Sequence, residues 1–230
     1  MATAQDIFDE VRRTIHDENP SNYRWSDDEL LDYLNAAARQ IVGLVPDANT
    51  VETVETISNN IARQTLPAGG IKVIRVSRNY ADDGTTPEGV IRYVEKDALD
   101  TYNPDWEFDT ALKADGANFF EHFCHDSREP DVYYLYPPQA AADKKVALVY
   151  SATPTTVGAV GDNYPLDDEY INAAVQYVIY RALTKESRDT LPSAYRQELW
   201  GNFLAALTLE GQAEGAVSPT SPQNRPPDGD

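Results

Sequence analysis

The richest grouping of metal-ligating side chains in the chain is EHFCHD, Glu121 to Asp126, which holds two of the three histidines and the only cysteine. On a strand, His122 and Cys124 share a side about 7 Å apart and His125 takes the other. A zinc site closing on the pair needs two further ligands, and with His16 the one remaining histidine these would be carboxylates. The competing reading is a strand whose His and Cys are partly buried, so no metal ligand is assigned. Nucleophilic catalysis has no foothold: there is no GxSxG elbow. PAGGIK is too short for a phosphate loop and lacks its Lys-Ser/Thr end. Asp82-Asp83-Gly84 is a hairpin-turn signal before it is a site, and no window spaces oxygen ligands as a calcium loop does. With 38 carboxylates, some pair falls at glycosidase spacing by chance alone. No catalytic residue and no cofactor is expected.

The charge is more informative. Nineteen Lys and Arg against 38 Asp and Glu leave a formal charge of −19. This opposes affinity for nucleic-acid phosphates, which relies on basic groups that displace counterions. It suits a well-solvated surface, or one that DNA passes without adhering. A DNA-mimicking decoy would concentrate acids on one face, whereas here acids and apolar groups are interleaved. No apolar run approaches the roughly 20 residues that span a bilayer, and the acidic start MATAQDIFDEVRR is no secretory signal, so a cytoplasmic origin is expected. One cysteine excludes an internal disulfide framework.

The elements that would position any site begin with a helix over about Thr3 to Asp17, with Ile7, Phe8, Val11 and Ile15 at helical spacing. After the breakers Asn19, Pro20 and Ser21 comes RWSDDELLDYLNAAARQIVGLVP. Ser26 is its N-cap, and Glu29 is expected to complete a capping box, with Asp27 and Asp28 in the first turn. Leu30, Leu31, Leu34, Ala37, Ala38, Ile41, Val42 and Val45 form the buried stripe, and Pro46 ends it.

Roughly residues 62 to 152 read as five or six strands (RQTLP, GIKVIRVSR, GVIRYVE, NFFEHFCH, DVYYLYPP, KVALVYSA) split by turn-formers. A short helix is expected in EKDALDTYNPDW. Alternation places Phe119 and Phe123 on one side and Phe120 on the other, and sets Val132, Tyr134 and Tyr136 against Tyr133 and Leu135. Apolar groups on both faces mean that the sheet is sandwiched within the chain or meets another subunit.

PLDDEYINAAVQYVIYRALTKES is apolar nearly all round, at Tyr170, Ile171, Ala174, Val175, Val178, Ile179, Ala182 and Leu183. Such a helix is central in a bundle or lies in an interface. SAYRQELWGNFLAALTLEG follows, with Leu199, Phe203 and Leu207 in a stripe, and Gly211 and Gly215 are expected to end it. The last residues, AVSPTSPQNRPPDGD, hold four prolines and little to bury, which makes a frayed end or a segment that orders on a partner.

Helix pairs at both ends, each needing an apolar partner, most simply pack on one another. The expected fold is therefore α+β: a discontinuous helical bundle of N- and C-terminal pairs (residues 1–50 and 164–212) with an inserted antiparallel β region (51–163) and a flexible tail (213–230).

In this layout the chain resembles the head-to-tail adaptor, or connector, proteins of tailed bacteriophages, above all the short-tailed ones. RWSDDELLDYLNAAARQIVGLVP is similar to their second helix, and Trp25, Ser26, Glu29, Leu30, Leu34 and Asn35 carry the signature. DIFDEVRRTIHDE upstream, DVYYLYPPQAAADKKVALVYSATPT and the closing pair PLDDEYINAAVQYVIYRALTKES and AYRQELWGNFLAAL follow in the family's order. The likeness covers residues 4 to 210.

The resemblance implies a virion structural protein without catalysis, in a homo-oligomeric ring of twelve beneath the portal protein. Such a ring extends the DNA channel, which DNA crosses without specific binding, and gives a platform to tail, nozzle or tail-fibre proteins. It implies assembly in the host cytoplasm and residence at the portal vertex, away from any membrane. Val217, Pro219, Pro222, Arg225 and Pro226 become candidate portal contacts. The alternatives are another tail-tube or fibre-docking component and a carboxylate- or metal-dependent hydrolase.

Overall fold

The computed structural model describes residues 2–57, 61–108, 119–138, 144–186 and 192–217. In chain order the elements are α1 (Ala4–Thr14), α2 (Asp27–Leu44), β1 (Thr50–Thr56), β2 (Arg63–Thr65), β3 (Gly70–Tyr80), β4 (Pro87–Val90) and β5 (Arg92–Tyr93). Then come α3 (Lys96–Tyr102), β6 (His122–Cys124), β7 (Val132–Tyr136), β8 (Lys145–Ala152), α4 (Ile171–Glu186) and α5 (Ser193–Val217). They fall into two compact units, Met1–Ala48 with Pro154–Asp230, and Asn49–Thr153. The fold is α+β.

In the helical unit, Thr3 starts α1 with a full capping box: its hydroxyl accepts from the Asp6 amide at 3.2 Å, and the Asp6 carboxylate accepts from the Thr3 amide at 2.9 Å. The amides of Ala4 and Gln5 donate to the carbonyls of Asp162 and Val160, so the returning chain satisfies two more orphan donors of the first turn. Helix α2 buries Leu30, Leu34, Ala37, Ala38, Ile41 and Val42, as its spacing requires, together with Tyr33 and Asn35. Fully buried side chains such as Phe8, Leu30 and Ile41 contribute about 1.5–3 kcal/mol each. The cap of α2 is only half a box. Ser26 accepts from the Glu29 amide at 3.3 Å, but the Glu29 carboxylate turns away to accept from the hydroxyl of Tyr33 and the ammonium of Lys185.

Helix α4 is central to the bundle and packs on α1, α2 and α5. That explains why Ala173, Ala174, Val175, Tyr177, Val178, Ile179 and Ala182 are all buried. Helix α5 buries Leu199, Phe203, Ala206 and Leu207 and continues through Gly211 and Gly215 to Val217. The expected stop at those glycines is therefore incorrect. A helical glycine costs about 1 kcal/mol against alanine, which weakens a helix without terminating it.

The β unit is a two-layer sandwich with sheet orders β1-β8-β3-β4 and β2-β7-β6-β5. Pairing is antiparallel except for the short parallel contact of β5 with β6. Val73, Val76, Val146, Leu148 and Tyr150 of the first sheet meet Phe123, Tyr133 and Leu135 of the second in one core. On the far side of the second sheet, Val132, Cys124 and Tyr134 pack with Leu99 of α3 and with Trp106. The aromatic strand is thus covered on both faces within its own chain.

Strand β1 lies outside the expected β stretch, since TVETVET has no aromatic or contiguous apolar run and its exposed and half-buried residues alternate at the sheet edge. Phe120 and Phe123 share the core instead of opposing each other. Strand β6 starts only at His122, so period-two alternation does not reach Phe120. That residue is held by Asn79, whose side chain accepts from its amide at 2.9 Å and donates to its carbonyl at 2.8 Å.

Candidate functional site

The junction between α1 and α2 is built on a buried charge. Arg12 is 3% exposed and donates to Asp17 at 2.8 Å, to the Trp25 carbonyl at 3.0 Å and to Asp27 at 2.7 Å. Its guanidinium lies 3.5 Å from the centre of the Tyr23 ring. Asp17 accepts in addition from the amides of Arg24, at 2.8 Å, and Trp25, at 3.4 Å. This pair therefore fixes the whole turn that presents Trp25 and Ser26. Nothing in the local spacing singles out Arg12 and Asp17 as a pair. The available signal was an arginine four residues after Phe8 and next to Val11, on the apolar stripe of α1.

The signature residues of α2 occupy three environments. Trp25, Leu30 and Leu34 are core. Asn35 is buried and accepts from the Val157 amide at 2.8 Å while donating to its carbonyl at 3.0 Å, so it pins the returning segment as a neighbouring strand would. Glu29 is held below its ordinary carboxylate pKa by the Lys185 hydrogen bond first and by Tyr33 second. Burial, with the bond to Glu29, pushes the Tyr33 phenol up to about 12.

Beside this corner α2, α4 and α5 leave an open groove of about 600 Å³. Tyr33 and Gln40 come from α2, Tyr177, Tyr180, Arg181, Thr184 and Lys185 from α4, and Arg196 and Trp200 from α5. Its floor is aromatic: Trp200 packs against Tyr180 at 5.4 Å and Phe203 at 5.1 Å between ring centres, and Tyr177 against Phe203 at 5.3 Å. Its rim is cationic. Arg181 lies 5.2 Å over the Tyr33 ring and donates to the Tyr177 hydroxyl, and neither it nor Arg196 makes an ion pair among the described residues. The buried hydroxyl of Thr184 has no hydrogen-bond partner among the described residues. In the sequence these rings look like helix packing, because nothing local shows that three helices leave them partly uncovered.

Of the EHFCHD cluster only Phe123 and Cys124 enter the β-unit core, and His122 and His125 are half-buried. Cys124 is buried beside Trp106 and Tyr134, and burial pushes its thiol up to about 12, which keeps it protonated at neutral pH. His122 lies against Tyr136 and His125 against Tyr93. No group of three His, Cys, Asp or Glu side chains that could hold a metal occurs among the described residues. Of the candidate portal contacts, Pro219, Pro222, Arg225 and Pro226 lie outside the described residues, and Val217 is the last residue of α5.

A family model described as SU10 adaptor protein matches residues 2–226, nearly the whole chain. The chain belongs to the SU10 adaptor protein family. Its role is accordingly that of a phage head-to-tail adaptor and its place is the virion. No curated protein matches the chain significantly. Among the described residues no helix is long and apolar enough to cross a membrane.

For an adaptor, what matters in these surroundings is rigidity and exposed chemistry. The Arg12–Asp17 pair, the Ser26 cap and the Asn35 clamp hold α1, α2 and the returning segment in one arrangement. The groove is where the same unit leaves aromatic area and positive charge open to solvent.

Proposed function

We propose that this adaptor assembles as a homo-oligomeric ring, of twelve copies, beneath the portal protein. The ring extends the DNA channel and forms the platform on which tail or nozzle components, and with them tail-fibre proteins, dock. The discontinuous helical part builds the subunit and its ring contacts, and the β insertion is directed to tail components. Assembly takes place in the host cytoplasm.

The observation that carries this reading is the adaptor-family match over residues 2–226. The formal charge of −19 supports it, because an acidic lumen repels the DNA backbone and lets the duplex slide. The work assigned to the protein is packing and docking.

Mass photometry of the purified protein, alone and mixed with the portal protein of the same genome, tests it. The expected outcome is a monomer or small oligomer that adds to the portal as one discrete increment of about twelve subunits, as closed cyclic assembly requires. Absence of association across a range of salt concentrations would overturn the proposal.

A further inference from the structure

Strand β3 is irregular in a way that sorts its charges. Plain alternation would set Lys72 and Arg78 on one face and Arg75 on the other. Instead its register with β8 shifts between Gly70 and Lys72, between Val73 and Arg75, and between Val76 and Arg78. Bulges of this kind re-aim side chains. All three cations lie exposed on the face away from the core, opposite Ser151, Val149 and Ala147. None of them makes an ion pair among the described residues, in a chain whose net charge is −19.

The same strand has a gap along its side away from β8. There β4 pairs with it at Arg78 and Tyr80, the Ser77 carbonyl accepts from the Ile91 amide, and the Val73 amide donates to the Pro130 carbonyl. The stretch between, Ile74 to Val76, pairs with no described strand on that side. Ile74 and Arg75 line an open pocket of about 520 Å³ together with Ile91, Tyr93 and Phe123. The opposite edge of the sheet is β1, which pairs with β8 along its whole length. Its Glu52 and Val54 share the face of the cations, since Glu52 and Arg75 both pair with Val149, and Val54 and Arg78 both pair with Ala147. Both are exposed, and Glu52 has no ion pair among the described residues. Two strand spacings, about 10 Å, keep Glu52 and Arg75 of one chain apart.

We infer that β1 of one copy docks along the β3–β4 edge of the next, where Glu52 meets Arg75, Val54 meets the exposed Val90, and the arriving strand closes the pocket. The inference rests on the ring reading above and adds a seam between β units to the contacts of the helical parts. A second copy is the occupant for two reasons. The acidic and basic borders lie at opposite edges of one sheet, which is the head-to-tail arrangement that a closed ring requires. The carboxylate that the cations lack is carried by the chain itself, on an edge strand whose outer backbone groups are a template for further pairing.

Paired cysteines in the full chain, bound to the portal, test this. Val54→Cys is combined with Val90→Cys, both at exposed positions. Val54, Ala147, Arg78 and Val90 follow one another across the four strands. Three strand spacings, about 14 Å, separate the ends, so no disulfide can close within one chain. The native Cys124 is buried and stays out of the exchange. Val54→Cys with Thr101→Cys, at an exposed position on α3, is the control. Under mild oxidant the edge pair is expected to give a ladder of covalent multimers on a non-reducing gel, about tenfold above the control, because docking raises the effective concentration of the two thiols. Arg75→Glu is expected to lower that yield and Glu52→Arg in the same chain to restore it, since a swapped charge pair recovers what a lost packing surface does not.

A yield equal to the control would overturn the inference, and so would a swap that restores nothing. With a ring formed on the portal and the edge pair still reduced, loss of tail attachment in Arg75→Glu assigns the face to a tail component, and loss of binding to a short DNA duplex assigns it to DNA. Either way the inference falls and the ring stands. If the wild-type chain adds no discrete increment to the portal, the ring reading fails and the inference with it.

Discussion

The two units place their aromatic side chains differently. In the β unit strand β7 is enclosed, while Val90, Tyr93, Tyr102 and Phe108 remain exposed elsewhere. The aromatic strand β7 has the other sheet on one face and α3 with Trp106 on the other, and Cys124 of the neighbouring β6 joins that packing. In the helical unit a buried ion pair fixes the α1–α2 turn, and three helices leave rings and arginines open to solvent. Both units, however, use the same clamp. Asn35 and Asn79 each spend a buried amide on both backbone groups of one remote residue, Val157 and Phe120 respectively.

The largest expected effect breaks the helical side of this contrast. Asp17→Ala strands the Arg12 guanidinium in a site where it is 3% exposed and is expected to cost about 3–5 kcal/mol in urea denaturation. Glu129→Ala, which removes the half-exposed Arg63–Glu129 pair of the β unit, is expected to cost less than about 1 kcal/mol. Equal losses would refute the claim that the buried Arg12–Asp17 pair matters more than the half-exposed Arg63–Glu129 pair.

The clamps come next. Asn35→Ala and Asn79→Ala each leave a buried amide and carbonyl unpaired, and each is expected to cost about 1–3 kcal/mol. Hydrogen exchange should show the loss at Val157 in one variant and at Phe120 in the other. Ser26→Ala is expected to cost about 1 kcal/mol and Ser26→Gly only a few tenths. A loss from Ser26→Ala as large as that from Asp17→Ala would mean that the cap, and not the ion pair, organises the turn.

The smallest effect is in the pH dependence. The folded pKa of Glu29 is lowered from 4.5, so its stabilisation is complete above that ordinary value and is lost as pH falls through the lowered one. Tyr33 is raised from 10.0 to about 12, so its share is complete below 10 and is lost as pH rises toward the folded value. Glu29→Gln should flatten the acid limb of the stability curve and make the alkaline loss smaller, because the folded Tyr33 value moves back toward 10. An unchanged acid limb would show that the carboxylate is solvated, not bonded.

Much of the helical unit can be read from the sequence, because amphipathic spacing and capping are local. Leu30, Leu34 and Ile41 announce a buried stripe, Ser26 announces a start, and Pro46 opens a 3₁₀ turn just beyond the end of α2. The β unit is less legible. β3 buries Val73, Val76 and Asn79 at every third residue, because its register with β8 shifts three times, and no period-two reading anticipates that. TVETVET carries no run to mark it, and becomes a strand by pairing with β8 along its whole length.

By itself the sequence determined the layout of a β region flanked by a helix pair at each end, the acidic character and the likeness to phage adaptors, all of which depend on composition and near neighbours. Tertiary structure alone decided that Arg12 is buried, that Asn35 and Asn79 grip backbone 122 and 41 residues away, and that a groove stays open over Trp200. Each of these depends on which distant segments meet. A buried guanidinium or amide is tolerated only where partners from elsewhere in the chain arrive at hydrogen-bond distance, and local spacing carries no record of that arrival.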